Sequence, residues 1–260
     1  MPIAALVTGA SRGLGLELIR QLGRGERPPR YLFAACREPE GTGATELKNF
    51  AKCFSNVKIV KMDVDDLNSI QETAEQIQKV LKDNGLNLLI NNAGINFGGD
   101  LNGITPEIMM KTYTTNVIAP VMVTKALLPS LMQAAQLSGE HGFSSEKAAV
   151  INMSSIMASM EMFNIQNGKA YSYSQQGQCP SLHAHRAALN MVTKCLASEL
   201  KPHGILCASV HPGWVKTDMG GEKASLFKEE SVEGILKVLA RLSEQDNGLF
   251  LDWRGQRLPW

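Results

Sequence analysis

Short apolar runs alternate along this chain with longer segments whose apolar residues recur at helical spacing. The runs at 3–7, 31–36, 57–62, 86–91, 149–153, 206–211 and 249–253 predict seven strands. Leu88-Leu89-Ile90 and Ala149-Val150-Ile151 are apolar without alternation, as expected of strands covered on both faces of a parallel sheet. Helical periodicity over 14–22, 67–81, 106–135, 182–200 and 232–242 fills the intervals. Polar stretches at 24–29, 38–45 and 136–147 read as surface loops. Strand and helix in alternation, without a linker or compositional break, predict one α/β domain over residues 1–260: a doubly wound, mainly parallel seven-stranded sheet with right-handed crossovers.

The junction of the first strand and first helix reads Thr8-Gly9-Ala10-Ser11-Arg12-Gly13-Leu14-Gly15. A helix N-terminus offers free N–H donors and a dipole that favours negative charge. Glycine lets a ligand approach the backbone closely. A strand, a glycine-rich turn and a helix in that order point to a pyrophosphate, and so to a dinucleotide. The bland alternative is a tight strand-to-helix turn with no ligand. The spacing, Gly-x-x-x-Gly-x-Gly, differs from the common Gly-x-Gly-x-x-Gly.

Composition narrows the setting. A formal charge of +1 over 260 residues gives no field for nucleic acid or another polyanion. Cys36, Cys53, Cys179, Cys195 and Cys207 are scattered and form no C-x-x-C pair, which fits a reducing compartment better than zinc or disulfides. The first apolar run starts at the third residue, leaving no room for a signal peptide, and no uncharged apolar run is long enough for a membrane span. A cytoplasmic location is expected.

The chain resembles the short-chain dehydrogenase/reductase family over nearly its whole length. The carrying residues are Thr8-Gly9-x-x-x-Gly13-x-Gly15, Asn91-Asn92-Ala93-Gly94, Asn116, Asn152-Met153-Ser154-Ser155 and Pro212-Gly213. Residues 86–94, the run His211-Pro212-Gly213-Trp214-Val215-Lys216-Thr217-Asp218-Met219-Gly220-Gly221, and Leu258-Pro259-Trp260 look like its carbonyl reductases of the sniffer type. The resemblance implies a Rossmann-type fold, a nicotinamide dinucleotide, and hydride transfer between that cofactor and a small carbonyl or alcohol. It also implies a homodimer formed through the helices at 106–135 and 182–200.

Cofactor choice has a physical argument. Folds that take NAD place an acidic side chain at the end of the second strand for the ribose 2′-hydroxyl. Here the strand ends Ala35-Cys36-Arg37, and Arg12 adds a second guanidinium in the glycine loop. Two arginines suit a 2′-phosphate through charge-assisted bonds, so NADP(H) is the expected cofactor; the alternative for Arg37 is a solvated loop charge. Gly9, Ser11, Arg12, Gly13, Leu14 and Gly15 form the expected phosphate loop. The resemblance implies that Asp63 and Val64 meet the adenine, although Asp63 also suits a helix N-cap, as Asp65 does. Asn92, Ala93 and Gly94 are expected along the dinucleotide. Pro212, Gly213, Val215 and Thr217 are implied over the nicotinamide, with the Thr217 hydroxyl on its carboxamide. Trp214 and Met219 suit either a substrate pocket or ordinary core. Ser155 is implied as the substrate-orienting serine, and Asn116 as a backbone water holder at a helix irregularity.

One motif departs from the family. Its proton donor is Tyr-x-x-x-Lys on a helix, where an ammonium one turn away favours the ionised phenol. Aligning Ala187-Ala188-Leu189-Asn190-Met191-Val192-Thr193-Lys194 puts Arg186 at the lysine position and Leu182 at the tyrosine position. Tyr173 lies thirteen positions before Arg186, with nine additional residues between. As continuous helix that is roughly 20 Å, so the two cannot share a face. Gly177 and Pro180 instead mark a loop, with a helix expected to start at Ser181 as its N-cap. Three readings remain open. Tyr173 reaches Ser155 across a looped-out segment with Arg186 supplying charge; His183, His185 or Tyr171 replaces it; or proton delivery is lost and the chain binds cofactor with little turnover. Lys169, four residues before Tyr173, reads as a surface lysine.

Overall fold

A computed structural model describes residues 2–97, 102–139, 142–162 and 180–260, with the backbone alone for 180–182. Its centre is a seven-stranded sheet in the order β3-β2-β1-β4-β5-β6-β7. The strands are β1 (Ala4–Thr8), β2 (Tyr31–Cys36), β3 (Val57–Lys61), β4 (Leu88–Asn91), β5 (Ala149–Met153), β6 (Leu206–His211) and β7 (Phe250–Asp252). Every pairing between them is parallel. The helices are α1 (Gly13–Arg24), α2 (Thr45–Cys53), α3 (Leu67–Leu81), α4 (Pro106–Tyr113), α5 (Ala119–Leu137), α6 (Pro180–Leu200) and α7 (Lys228–Leu239). The doubly wound α/β fold read from the sequence is the one observed.

Alternate residues of each strand feed two apolar layers. Ala5, Val7, Leu32, Ala34, Ile90 and Ile151 pack with Leu18, Ile19, Leu22, Phe50, Val232 and Ile235 from α1, α2 and α7. Leu6, Phe33, Leu89 and Val150 pack with Ile77, Val123, Leu127 and Leu200 from α3, α5 and α6. Each fully buried Leu or Ile contributes about 1.5–3 kcal/mol of transfer free energy. The strand order reverses between β1 and β4, and a crevice for ligands opens at the carboxyl ends of the strands there.

Boundaries differ from the pattern where side chains intervene. β4 begins at Leu88 rather than Leu86. Asn87 is spent as a cross-link: its Oδ1 accepts from Ala4 N at 3.0 Å, and its Nδ2 donates to the Glu146 and Lys147 carbonyls at 2.8 and 3.0 Å. Helix α2 carries only Leu47 and Phe50 as buried anchors, too few to register as periodicity. Helix α7 starts at Lys228, earlier than its apolar pattern, because its first turn is acidic. Helix α6 begins at Pro180, so Ser181 lies inside its first turn instead of capping it. The segment read as one helix over 106–135 is α4 and α5 joined by a π turn, Thr114–Ile118. Together α4 and α5 are long and apolar enough to cross a membrane by length and composition, but half of that stretch is buried inside the fold.

Candidate functional site

The glycine loop is built by close approach. Thr8 Oγ1 accepts from the Asn92 and Ala93 N–H groups, each at 3.0 Å. Asn92 Nδ2 donates back to the Thr8 and Gly9 carbonyls at 2.9 and 3.3 Å. These four bonds fix the end of β1 to the end of β4. A Cβ on Gly15 would lie 2.2 Å from the Gly9 carbonyl oxygen, and one on Gly9 would lie 2.9 Å from Ala93 Cα. Gly13 adopts φ +57°, and a Cβ there would lie 3.7 Å from Thr217 Cγ2. Ser11 is partly exposed, and Leu14 leans on the α1 side of the core. Helix α1 has Arg12 at its N-cap, with no side-chain acceptor and no acid in its first turn. By contrast Asp66 caps α3 and Thr105 caps α4. The first-turn donors of α1 are therefore available to an anion.

The arginines stand in solvent. Arg12 Nη1 lies 3.4 Å from Asp218 Oδ2, the side chains being 78% and 82% exposed. Arg37 follows β2 and lies 3.9 Å from Glu38. Past β3, Asp63 Oδ1 accepts from Asp65 N at 3.1 Å, and Asp63 N donates to Ser69 Oγ at 2.9 Å. Neither Asp63 nor Asp65 caps α3; Asp66 does, accepting from Asn68 N at 2.9 Å. Asp65 instead binds Lys111 and Thr115 at 2.6 and 2.7 Å, tying α4 to this edge. Val64 packs on the α3 side of the core.

The next group converges from β4, α4–α5, β5 and α6. Asn116 sits in the π turn, which breaks the regular helical ladder at that position. Its side chain holds Ile95 in both directions at 2.9 Å. Ser154 Oγ donates to Asn190 Oδ1 at 2.7 Å. Ser155 caps the short turn after β5 and accepts from Met157 N at 3.3 Å, and no acceptor for its own proton lies among the described residues. Arg186 is nine-tenths buried and donates from Nη1 to the Met153 carbonyl at 2.7 Å. A Cβ on Gly94 would lie 3.3 Å from Arg186 Nη2 and 3.1 Å from Asn116 Oδ1. Burial lowers the guanidinium pKa to about 10, which leaves it cationic at neutral pH. Its Nε has no partner among the described residues.

The structure also shows what sequence reading missed. Asn91, Asn152 and Ser209 pair in register across β4, β5 and β6. They join Thr124 and Thr193 in a buried chain of hydrogen bonds, 2.8–3.4 Å long. Asparagines interrupting apolar strands were the available signal. His211 ends β6 in register with Asp252, and its Nδ1 has no partner among the described residues. Burial pushes its pKa down to about 4, with Asp252 opposing and Arg186 adding to the shift. His185 is committed elsewhere: it is buried, its Nε2 bonds the Met109 carbonyl at 3.1 Å, and its ring lies 5.7 Å from Tyr113.

The segment after β6 is a tied strap. Pro212 O accepts from Ser231 Oγ at 2.6 Å, and Gly213 turns against Leu226 and Trp253. Val215 is buried and bridges Leu226. Thr217 Oγ1 accepts from Gly220 N at 3.1 Å, while Trp214 Nε1 donates to the Gly220 carbonyl at 2.8 Å. Met219 is half exposed and not core. Tyr173, with Lys169, Tyr171 and Gly177, lies outside the described residues, as does the side chain of Leu182.

A sequence profile described as short chain dehydrogenase matches residues 3–226. The chain belongs to that family. Within it, an NADPH-bound carbonyl reductase from chicken fatty liver is 44% identical, with a TM-score of 0.91 over 100% of this chain and 99% of its own. The carbonyl reductase Sniffer of D. melanogaster is 37% identical, with a TM-score of 0.91 over 100% of both chains. An uncharacterized oxidoreductase of Schizosaccharomyces pombe is 30% identical over 98% of this chain and 96% of its own length. This short chain dehydrogenase thus keeps the seven-stranded sheet and the glycine cradle intact.

Proposed function

We propose that this chain is an NADPH-dependent carbonyl reductase whose cofactor half is complete and whose Tyr-x-x-x-Lys motif is interrupted. The observation that carries the reading is the convergence, at the carboxyl ends of the strands, of an uncapped α1 N-terminus, the Gly9–Gly15 cradle, a Ser155 hydroxyl proton that no described residue accepts, and the buried Arg186 cation. The cradle fits the cofactor because its free donors meet no side chain. NADPH, when bound, supplies the hydride.

The residues divide the work. The N–H groups at Gly13 and Leu14, with Ser11, take the pyrophosphate. Arg12 and Arg37 take the 2′-phosphate. Asp63 and Val64 meet the adenine, and Asn92, Ala93 and Gly94 line the floor. Pro212, Gly213, Val215 and Thr217 cover the nicotinamide. Ser155 Oγ donates to the substrate carbonyl oxygen and so favours the charge that gathers there. Arg186 adds positive charge, and Asn116 offers its backbone carbonyl to a water. Tyr173 delivers the proton to the oxygen.

A second reading, cofactor binding with little turnover, is favoured by one observation: Arg186 Nη1 is committed to the Met153 carbonyl. Its planar fork does not replace a compact ammonium. Saturable quenching of tryptophan fluorescence by NADPH tests the binding both readings share. Loss of NADPH absorbance with quinones or aldehydes supports the reductase; tight binding without turnover over a broad carbonyl panel overturns it. We further propose a homodimer in a reducing, cytoplasmic setting. Cys36, Cys53, Cys195 and Cys207 are free thiols, and sedimentation velocity reads the mass.

A further inference from the structure

Leu258, Pro259 and Trp260 take no part in the reaction just described, yet Trp260 ties together three elements. After β7 the chain turns back on itself: Asp252 N donates to Gln256 O at 2.9 Å, and Leu258 N donates to Phe250 O at 2.8 Å. The Trp260 ring stacks on the buried Phe250 ring at 5.9 Å between centroids. Lys194 of α6 places its ammonium 5.0 Å from the indole centroid. The main-chain oxygen of Trp260 accepts from Glu161 N at 3.1 Å and from Ser159 Oγ at 3.3 Å. Ser159 Oγ accepts in turn from Met162 N at 3.1 Å.

That pinned turn is continuous with Ser155. Ala158 N donates to Ser155 O at 2.8 Å, and Ser159 N to Ile156 O at 3.1 Å. A run of short-range bonds therefore leads from Ser155 to Met162, and its far end is held by Trp260. Helix α6, which meets the Trp260 ring through Lys194, also bears Arg186. A turn held at its far end leaves the hydroxyl at its start a narrower range of positions toward a substrate.

We infer that Trp260 is a positioning residue for the substrate side of the site: by holding the 159–162 turn against β7 and α6, it sets where Ser155 meets the carbonyl. This rests on the carbonyl reductase reading. Among the described residues no contact connects Trp260 to the glycine cradle, so its effect falls on the carbonyl substrate and spares the cofactor.

The test uses the full chain with Trp260→Ala and Trp260→Phe, the latter keeping a ring on Phe250. In Trp260→Ala, amide exchange at Glu161 and Met162 should quicken at least about tenfold while β1 and β4 keep native protection. The NADPH Kd should stay within about twofold, the KM for a small quinone should rise about fivefold or more, and Trp260→Phe should restore most of both. Unchanged exchange at Glu161, or NADPH affinity falling in step with KM, overturns the inference. Should Trp260→Ala fail to fold, Ser159→Ala removes the hydroxyl bridge alone and should move the same readouts in the same direction. A native chain that binds NADPH but reduces no quinone overturns the reductase reading and the substrate effect with it; the exchange measurement then decides the clamp by itself.

Discussion

The β1–β4 edge and the β5–α6 edge of this sheet use their polar groups in opposite ways. At the first, Thr8 and Asn92 satisfy one another and the ends of both strands, and α1 starts without a side-chain cap. At the second, Arg186 Nε, Asn190 Nδ2 and His211 Nδ1 are buried without partners among the described residues. A closed set of bonds tolerates no change of shape and presents one defined surface to a ligand. An edge with unmatched groups carries an energetic cost that a different neighbouring segment could relieve. The difference teaches that the cradle is built from bonds of its own: none of the four that join β1 to β4 involves a residue of β5 or α6.

Several changes would break or sharpen that contrast. Gly15→Ala should have the largest effect, since its Cβ meets the Gly9 carbonyl at 2.2 Å. NADPH quenching of fluorescence should be lost, with about 1–3 kcal/mol of stability, in a titration paired with thermal unfolding. Ser155→Ala should leave NADPH affinity intact and lower turnover by about 10²–10³, read as kcat in a steady-state assay. Were binding to fall instead, the two edges would not be separable.

Acid addresses the second edge. His211 binds its proton with a pKa of about 4 when folded, against 6.5 otherwise. Between those values the unfolded chain holds more protons, so stability is present above the upper value and is lost as pH falls through the window. The full loss is on the order of 3 kcal/mol. His211→Gln should flatten that slope in denaturation series at several pH values. Removing nine residues within 174–185 and restoring Tyr-x-x-x-Lys should raise turnover about tenfold or more; no rise would show that the interruption was not limiting. The smallest effect belongs to Arg12→Ala: NADPH should weaken about threefold to tenfold and NADH hardly at all, with the gap closing as salt rises.

How much of this was legible follows from the range of each interaction. Strands 31–36, 149–153 and 206–211 match to the residue, because unbroken apolar runs between turn residues have few alternatives. The glycine loop was legible because φ and close approach restrict the residue locally. Asp66, not Asp63 or Asp65, caps α3, a choice among three neighbouring acids that only backbone geometry makes. The π turn at Asn116 leaves no trace in helical periodicity. His211 and the Trp260 contacts depend on which strand ends beside which, and pairing across forty or more residues is not written in any local window. Part of the candidate site, Tyr173 above all, lies outside the described residues.

The buried run Thr124–Asn91–Asn152–Thr193–Ser209 has a consequence for how the chain assembles. Apolar strands that present similar faces all along their length have little to tell one offset from the next. Here, sliding β4 by one residue against β5 would swing Asn91 into the layer of Val7, Ile151 and Val232 and strand the Asn152 carbonyl oxygen. Each polar group so abandoned costs about 1–3 kcal/mol. The asparagines thus act as an alignment mark within an otherwise uniform surface, rejecting misfolded offsets during folding more than they add to the strength of the finished sheet.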